Sequence, residues 1–190
     1  MIILGVDPGT LVTGYGVIET RSGSVRVLAF DVVKNGSERS MPLRLKRIYA
    51  ALTKVIAAWH PDEFAIETAF YGKNAQSALK IGHARGVSIL AAVNAQVPTT
   101  EYSPREIKKA IVGNGAASKQ QVQAMVKNLL RLKVTPKLFD ATDALAVALC
   151  HSHRLGNGSP RTKFPATRRR PFTDWKSYVE THPERVAKRP

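Results

Sequence analysis

Apolar and polar positions along the chain alternate between two periods, and the switches mark out its elements. Met1 to Val6 is a mostly apolar run closed by Asp7 and the Pro8-Gly9 turn, which predicts a buried strand with an acid at its C-terminal end. Tyr15–Glu19 and Val25–Val33 are rich in Val, Ile and aromatic residues and flank the turn-forming ETRSGS, so the first three strands form a meander. From about Pro42 to Trp59 the period changes. Leu45, Ile48, Leu52, Val55, Ile56 and Trp59 recur at helical spacing, while Arg44, Lys46, Arg47 and Lys54 take the other faces. Ser40 can cap this helix, and His60-Pro61 ends it.

EFAIE is a short apolar strand that also finishes on an acid, Glu67. AQSALKIGHARGVSILAAVNAQ reads as a helix whose Gly82 and Gly86 mark close packing against a neighbour. PTTEYSP is a further strand. PREIKKAIVG and SKQQVQAMVKNLLRL are helices on either side of the turn GNGAA, with Ser118 as a cap. DATDALAVALCHSH is the last, alanine-rich helix of an α/β core.

Near Gly156 the pattern stops. Residues 151–190 carry ten Lys/Arg against three Asp/Glu and little apolar material, so 1–155 reads as one domain and 156–190 as a basic, Pro/Arg-rich extension. TDWKSYVE could form one short helix within it. The cluster Arg168 to Arg170 leaves two readings open, a longer nucleic-acid footprint or a solubilising extension.

Charge changes the picture most. Lys and Arg total 29 against 14 Asp and Glu, a net charge of +15, which favours a polyanionic partner because bound phosphates release counterions. No long basic amphipathic helix points to a membrane surface, and no apolar run is long enough to span one. The opening MIILGVDPG lacks the basic segment of a secretory signal. The single cysteine, Cys150, fits a reducing interior, and the expected location is cytoplasmic.

Asp7, Glu67, Asp140 and Asp143 are the candidate chemistry. Singly, each has an ordinary reading: Asp7 as a turn residue, Asp140 as a helix cap, Asp143 as a first-turn acid favoured by the helix dipole. If the last helix crosses the strand ends, the four carboxylates converge and their charges conflict. Divalent ions remove the conflict, and an oxygen-only donor set selects a hard ion such as Mg²⁺. Two such ions about 4 Å apart clamp a phosphodiester undergoing hydrolysis. A strand followed by Asp, Gly and Thr also opens the phosphate hairpin of actin-like ATPases. Those need two such domains, and no second hairpin or Walker-type loop is present. His83, His151 and His153 lack metal-ligand spacing and read as solvated or capping residues.

Four blocks, in order, carry a family likeness: ILGVDPGTLVTGYGVIE, AIETAFYGKNAQSALKIGHARG, IVGNGAASKQQVQ and DATDALAVALCHSH. Over about residues 1–155 the chain resembles the RuvC family of bacterial Holliday-junction resolvases, and the likeness fades after about Arg154. The resemblance implies a ribonuclease H-like mixed five-stranded sheet, a three-strand antiparallel meander plus parallel strands, flanked by helices. It implies catalytic and metal-binding acids at Asp7, Glu67, Asp140 and Asp143; some members carry His at the third position. The implied cofactor is Mg²⁺, two per site, with Mn²⁺ able to substitute. The implied activity is symmetrical nicking of two strands of four-way junction DNA by a homodimer, in recombination and repair alongside the RuvA–RuvB branch-migration complex.

On the DNA side the resemblance implies Lys119 and Lys108, although Lys109 is adjacent to Lys108, and a base-stacking aromatic at Phe70. Asn114 and Ser118 are candidate neutral phosphate contacts. A non-catalytic junction binder and an RNA-directed nuclease on the same fold are the alternative readings.

Overall fold

The computed structural model describes residues 1–21, 23–68, 75–132 and 139–156. In chain order these form β1 (Ile2–Asp7), β2 (Val12–Arg21), β3 (Ser24–Lys34), α1 (Met41–Trp59), β4 (Glu63–Glu67), α2 (Ala75–Asn94), β5 (Thr99–Tyr102), α3 (Pro104–Val112), α4 (Lys119–Leu129) and α5 (Phe139–Gly156). The five strands make one sheet in the order β3-β2-β1-β4-β5. β1, β2 and β3 pair antiparallel, and β4 and β5 continue the sheet parallel to β1. This is the mixed α/β sheet expected from the sequence. β2 is longer than its apolar pattern predicts because Val12 to Gly14 also pair, Gly14 standing opposite Asp7.

The period-2 alternation of strands assigns the faces. Leu4 and Val6 of β1, with Phe64 and Ile66 of β4, pack with Ile48, Leu52 and Ile56 of α1 and Ala84, Ala91 and Ala92 of α2. Ile3 of β1 and Ala65 of β4 point the other way, into a core with Ile107, Ile111, Val122 and Val126 and the α5 run Leu145 to Cys150. Asp7 has the parity of Ile3, and Glu63 and Glu67 have the parity of Ala65. Both strand-ending acids therefore share the face covered by α5.

α5 lies unusually close to the sheet. A Cβ on Gly5 would collide with the Ala144 carbonyl and the Ala148 backbone, and one on Gly14 with the Asp140 carbonyl. The alanines of α5 and the glycines of β1 and β2 thus form matching low surfaces, and the approach at Gly14 brings the start of α5 to the end of β1. Small residues on both sides make this packing possible.

At the far end of α5, His151 is buried (2% exposed) rather than solvated or capping. Its Nδ1 lies 2.8 Å from the Tyr102 hydroxyl, and its Nε2 lies 3.6 Å from a carboxylate oxygen of buried Glu63. α5 spans about 27 Å at 1.5 Å per residue, long enough to meet Glu63 with one end and Glu67 with the other. His153 is half-buried, with Nδ1 3.2 Å from the Ala110 carbonyl.

Candidate active site

The turn after β1 does not use the Asp7 carboxylate. The Thr13 hydroxyl donates to the Gly9 carbonyl at 2.6 Å, and the amide of Asn35 (1% exposed) donates to the Thr10 carbonyl at 2.7 Å. Among the described residues no hydrogen bond to the Asp7 side chain is formed, so a turn-forming role does not account for Asp7. Asn35 escapes a reading of the sequence because its partner lies 25 residues away.

Asp7 sits beside Glu67 because Val6 pairs with Ile66 in parallel register. α5 supplies Asp140 in its first turn and Asp143 three residues on, on the same side of the helix. The carboxyl of Asp7 is raised from its ordinary 3.8 to about 8, by burial first, then by the charges of Glu67, Asp143 and Asp140, with Lys119 opposing. Glu67 is raised to about 7 by burial and by Asp143, with Lys119 and Lys108 opposing. Burial also raises Asp143, against the hydrogen bond and charge of Lys119. Four acids from three elements share one electrostatic neighbourhood, and two of them do not ionise fully at neutral pH.

Lys119 is the cation of this neighbourhood. Its Nζ lies 2.6 Å from Asp143 Oδ2 and 6.0 Å from the Phe139 ring centre. Burial acts to lower its pKa, but the hydrogen bond and charge of Asp143 and the charges of Asp7 and Asp140 outweigh it and the net shift is upward. The helix that carries it is fixed by a capping box: the Ser118 hydroxyl accepts from the Gln121 N–H at 3.2 Å, and the Gln121 side chain accepts from the Ser118 N–H at 2.8 Å. Gln123, one helical turn beyond Lys119, lies close enough to Asp143 to lower its carboxyl slightly, although its buried side-chain nitrogen has no hydrogen-bond partner within bonding distance among the described residues. Its i, i+4 spacing from Lys119 is the one signal in the sequence that could have found it.

Glu67, Asp143, Lys119 and Lys108 line a cleft of about 200 Å³, floored by Pro104, Ile107, Val122 and Ala146. Lys108 therefore faces the acids, and the neighbouring Lys109 does not. Asn114 is exposed in the α3–α4 turn, where its side-chain oxygen accepts from the Ala116 N–H at 2.9 Å. Phe70 lies outside the described residues, as does the whole extension from 157 onward.

The donor set suits a hard divalent ion: carboxylates only, mutually repelling, with Asp7, Glu67 and Asp143 raised in pKa by burial first and then by the charge of neighbouring carboxylates. Among the described residues no three Asp, Glu, His or Cys side chains are drawn together closely enough to form a finished metal cage. Acids in this state repel one another, and Asp143 is held by the Lys119 ammonium. They are neighbours rather than a closed ligand shell.

The family model of the crossover junction endodeoxyribonuclease RuvC matches residues 3–151. The chain belongs to the RuvC family. A RuvC of Chloroherpeton thalassium is 45% identical over 188 residues, covering 99% of this chain and 100% of that protein. That alignment runs through the C-terminal extension, whereas the family model ends at residue 151. A RuvC of Photobacterium profundum is 53% identical over 152 residues, covering 80% of this chain and 87% of that protein. Among solved structures, Thermus thermophilus RuvC in complex with a Holliday junction substrate superposes with a TM-score of 0.79 at 34% identity, covering 85% of this chain and 98% of that one. Among the described residues, no helix is long and apolar enough to cross a membrane.

Proposed function

We propose that this chain is a metal-dependent, structure-selective endonuclease that resolves Holliday junctions by nicking two strands symmetrically in recombination and repair. One observation carries the reading: Asp7, Glu67, Asp140 and Asp143 act on one another's charge at the sheet end where α5 meets β1 and β4, beside a lysine. Asp7, Glu67, Asp140 and Asp143 would hold Mg²⁺, two ions per site, with Mn²⁺ able to substitute. Held there, the metal would supply an activated water and charge stabilisation for the leaving oxygen.

The remaining roles belong to the chain itself. The Lys119 ammonium passes from Asp143 to the scissile phosphate once the carboxylate is engaged elsewhere. Lys108 adds a second positive charge on the cleft wall, and Asn114 and Ser118 offer an amide and a hydroxyl to neighbouring phosphates. Phe70 stacks on an unpaired base near the junction point. Residues 1–155 form the catalytic domain, and 156–190 a basic extension.

The junction's near-twofold symmetry matches a homodimer that presents one site to each of two like strands. The protein acts in the cytoplasm, with a RuvA–RuvB complex delivering the junction. Incubation with an end-labelled four-way junction and Mg²⁺ tests the reading. Paired nicks that vanish with EDTA support it. Binding without nicking would leave a junction-binding protein, and cutting of an RNA–DNA hybrid alone would assign a different substrate.

A further inference from the structure

A second cleft lies on the other side of α3 from the acids. It is open, has a volume of about 1190 Å³, and is bounded by the β2–β3 turn, α3 and the end of α5. Its charged lining is mostly positive, Arg21, Lys109 and Arg154 against Glu106, with the His153 imidazole beside them. Arg21, Lys109 and Arg154 are exposed, and none is within ion-pairing distance of a described carboxylate. Glu106, the acid of the lining, is already committed: its carboxylate accepts from the Ser103 N–H at 2.8 Å and the Ser103 hydroxyl at 2.7 Å in the α3 capping box. The Arg154 guanidinium is held 5.7 Å from the Tyr102 ring centre, which fixes its place in the cleft.

α3 joins the two clefts. Lys108 and Lys109 are consecutive, so their side chains leave the helix about 100° apart. Lys108 lines the acidic cleft and Lys109 the basic one. A polyanion crossing this short helix meets positive charge on both slopes. We infer that the cleft of Arg21, Lys109, His153 and Arg154 is a second nucleic-acid contact, taking the phosphate backbone of a junction arm that runs from the catalytic cleft across α3. Exposed cations outside ion-pairing distance of a described carboxylate, with Arg154 near enough to Glu106 to feel its charge, and an open, wide shape suit a backbone track rather than a small ligand. This rests on the resolvase reading and extends it by giving the arm a path.

The test compares wild-type protein with the triple variant Arg21→Gln/Lys109→Gln/Arg154→Gln, and with Lys109→Arg as a charge-preserving control. Two four-way junctions serve as probes, one with arms of about three helical turns and one trimmed to about one turn. Affinity is measured across salt concentration, and single-turnover nicking at saturating protein. The salt slope falls by about 0.9 for each phosphate that is no longer neutralised, so the triple variant loses about 2–3 from the slope on long arms. It matches wild type on short arms and nicks at the wild-type rate once bound, and Lys109→Arg keeps the full slope. An unchanged slope on long arms overturns the inference, as does an equal decrease on both junctions. Failure of wild-type protein to nick either junction defeats the resolvase reading instead, while the binding slopes still decide the cleft.

Discussion

Asp7→Asn should stabilise the metal-free protein at alkaline pH, although it removes a residue proposed for catalysis. Folded Asp7 holds its proton up to about pH 8, while the unfolded chain releases it near 3.8. Between those values the folded state binds more protons, so the unfolding free energy falls as pH rises. Below the unfolded value both states are protonated and there is no penalty; above about 8 the whole penalty is present. The rise from 3.8 to about 8, at 1.36 kcal/mol for each pH unit, sets a ceiling of about 5–6 kcal/mol. Solvent reaches the cleft and screens part of this, leaving roughly 2–3 kcal/mol for Asp7. The assay is urea unfolding in EDTA between about pH 5 and pH 9. Wild type should lose stability across that window, and Asp7→Asn should lose much less and overtake it at the alkaline end. Added Mg²⁺ should stabilise wild type more than the variant. Wild-type stability that rises with pH, or a variant weaker than wild type at pH 9, would refute the crowding of acids around Asp7.

Three further substitutions probe other parts of the site. Gly14→Ala places a Cβ against the Asp140 carbonyl, so α5 must shift: a loss of about 2 kcal/mol or more by thermal unfolding is expected, with impaired nicking. Tyr102→Phe removes the hydroxyl 2.8 Å from buried His151 Nδ1 and should cost about 1–3 kcal/mol in denaturant unfolding. Lys119→Gln removes a charge that holds Asp7 and Glu67 down, so their carboxyls rise further and the acidic limb of the pH–rate profile moves to higher pH. Its nicking rate should fall by about 100-fold.

Much of this is legible in the chain. The apolar strands ending at Asp7 and Glu67 set both the sheet and the two acids, because a strand's period fixes which residues share a face. Ser118 announces its helix start through the capping box with Gln121. The meeting of distant elements is not legible. Nothing local says that Lys119 of α4 reaches Asp143 of α5, or which of Lys108 and Lys109 turns toward the acids. His151 reads as solvated from its spacing alone, although it shares a helical face with Ala144 and Ala148, and Glu63 shares a parity with Glu67. Those two patterns together place a histidine opposite an acid inside the core, and only the pairing of α5 with β4 joins them.

The central claim is that Asp7 and its acidic neighbours do the cutting rather than the binding. The direct measurement is nicking of a labelled four-way junction by wild type and Asp7→Asn, titrated with Mg²⁺ at protein concentrations where both are fully bound. The account predicts equal binding, paired symmetrical nicks from wild type that rise with Mg²⁺, and none from the variant. Nicking by Asp7→Asn at the wild-type rate would contradict it.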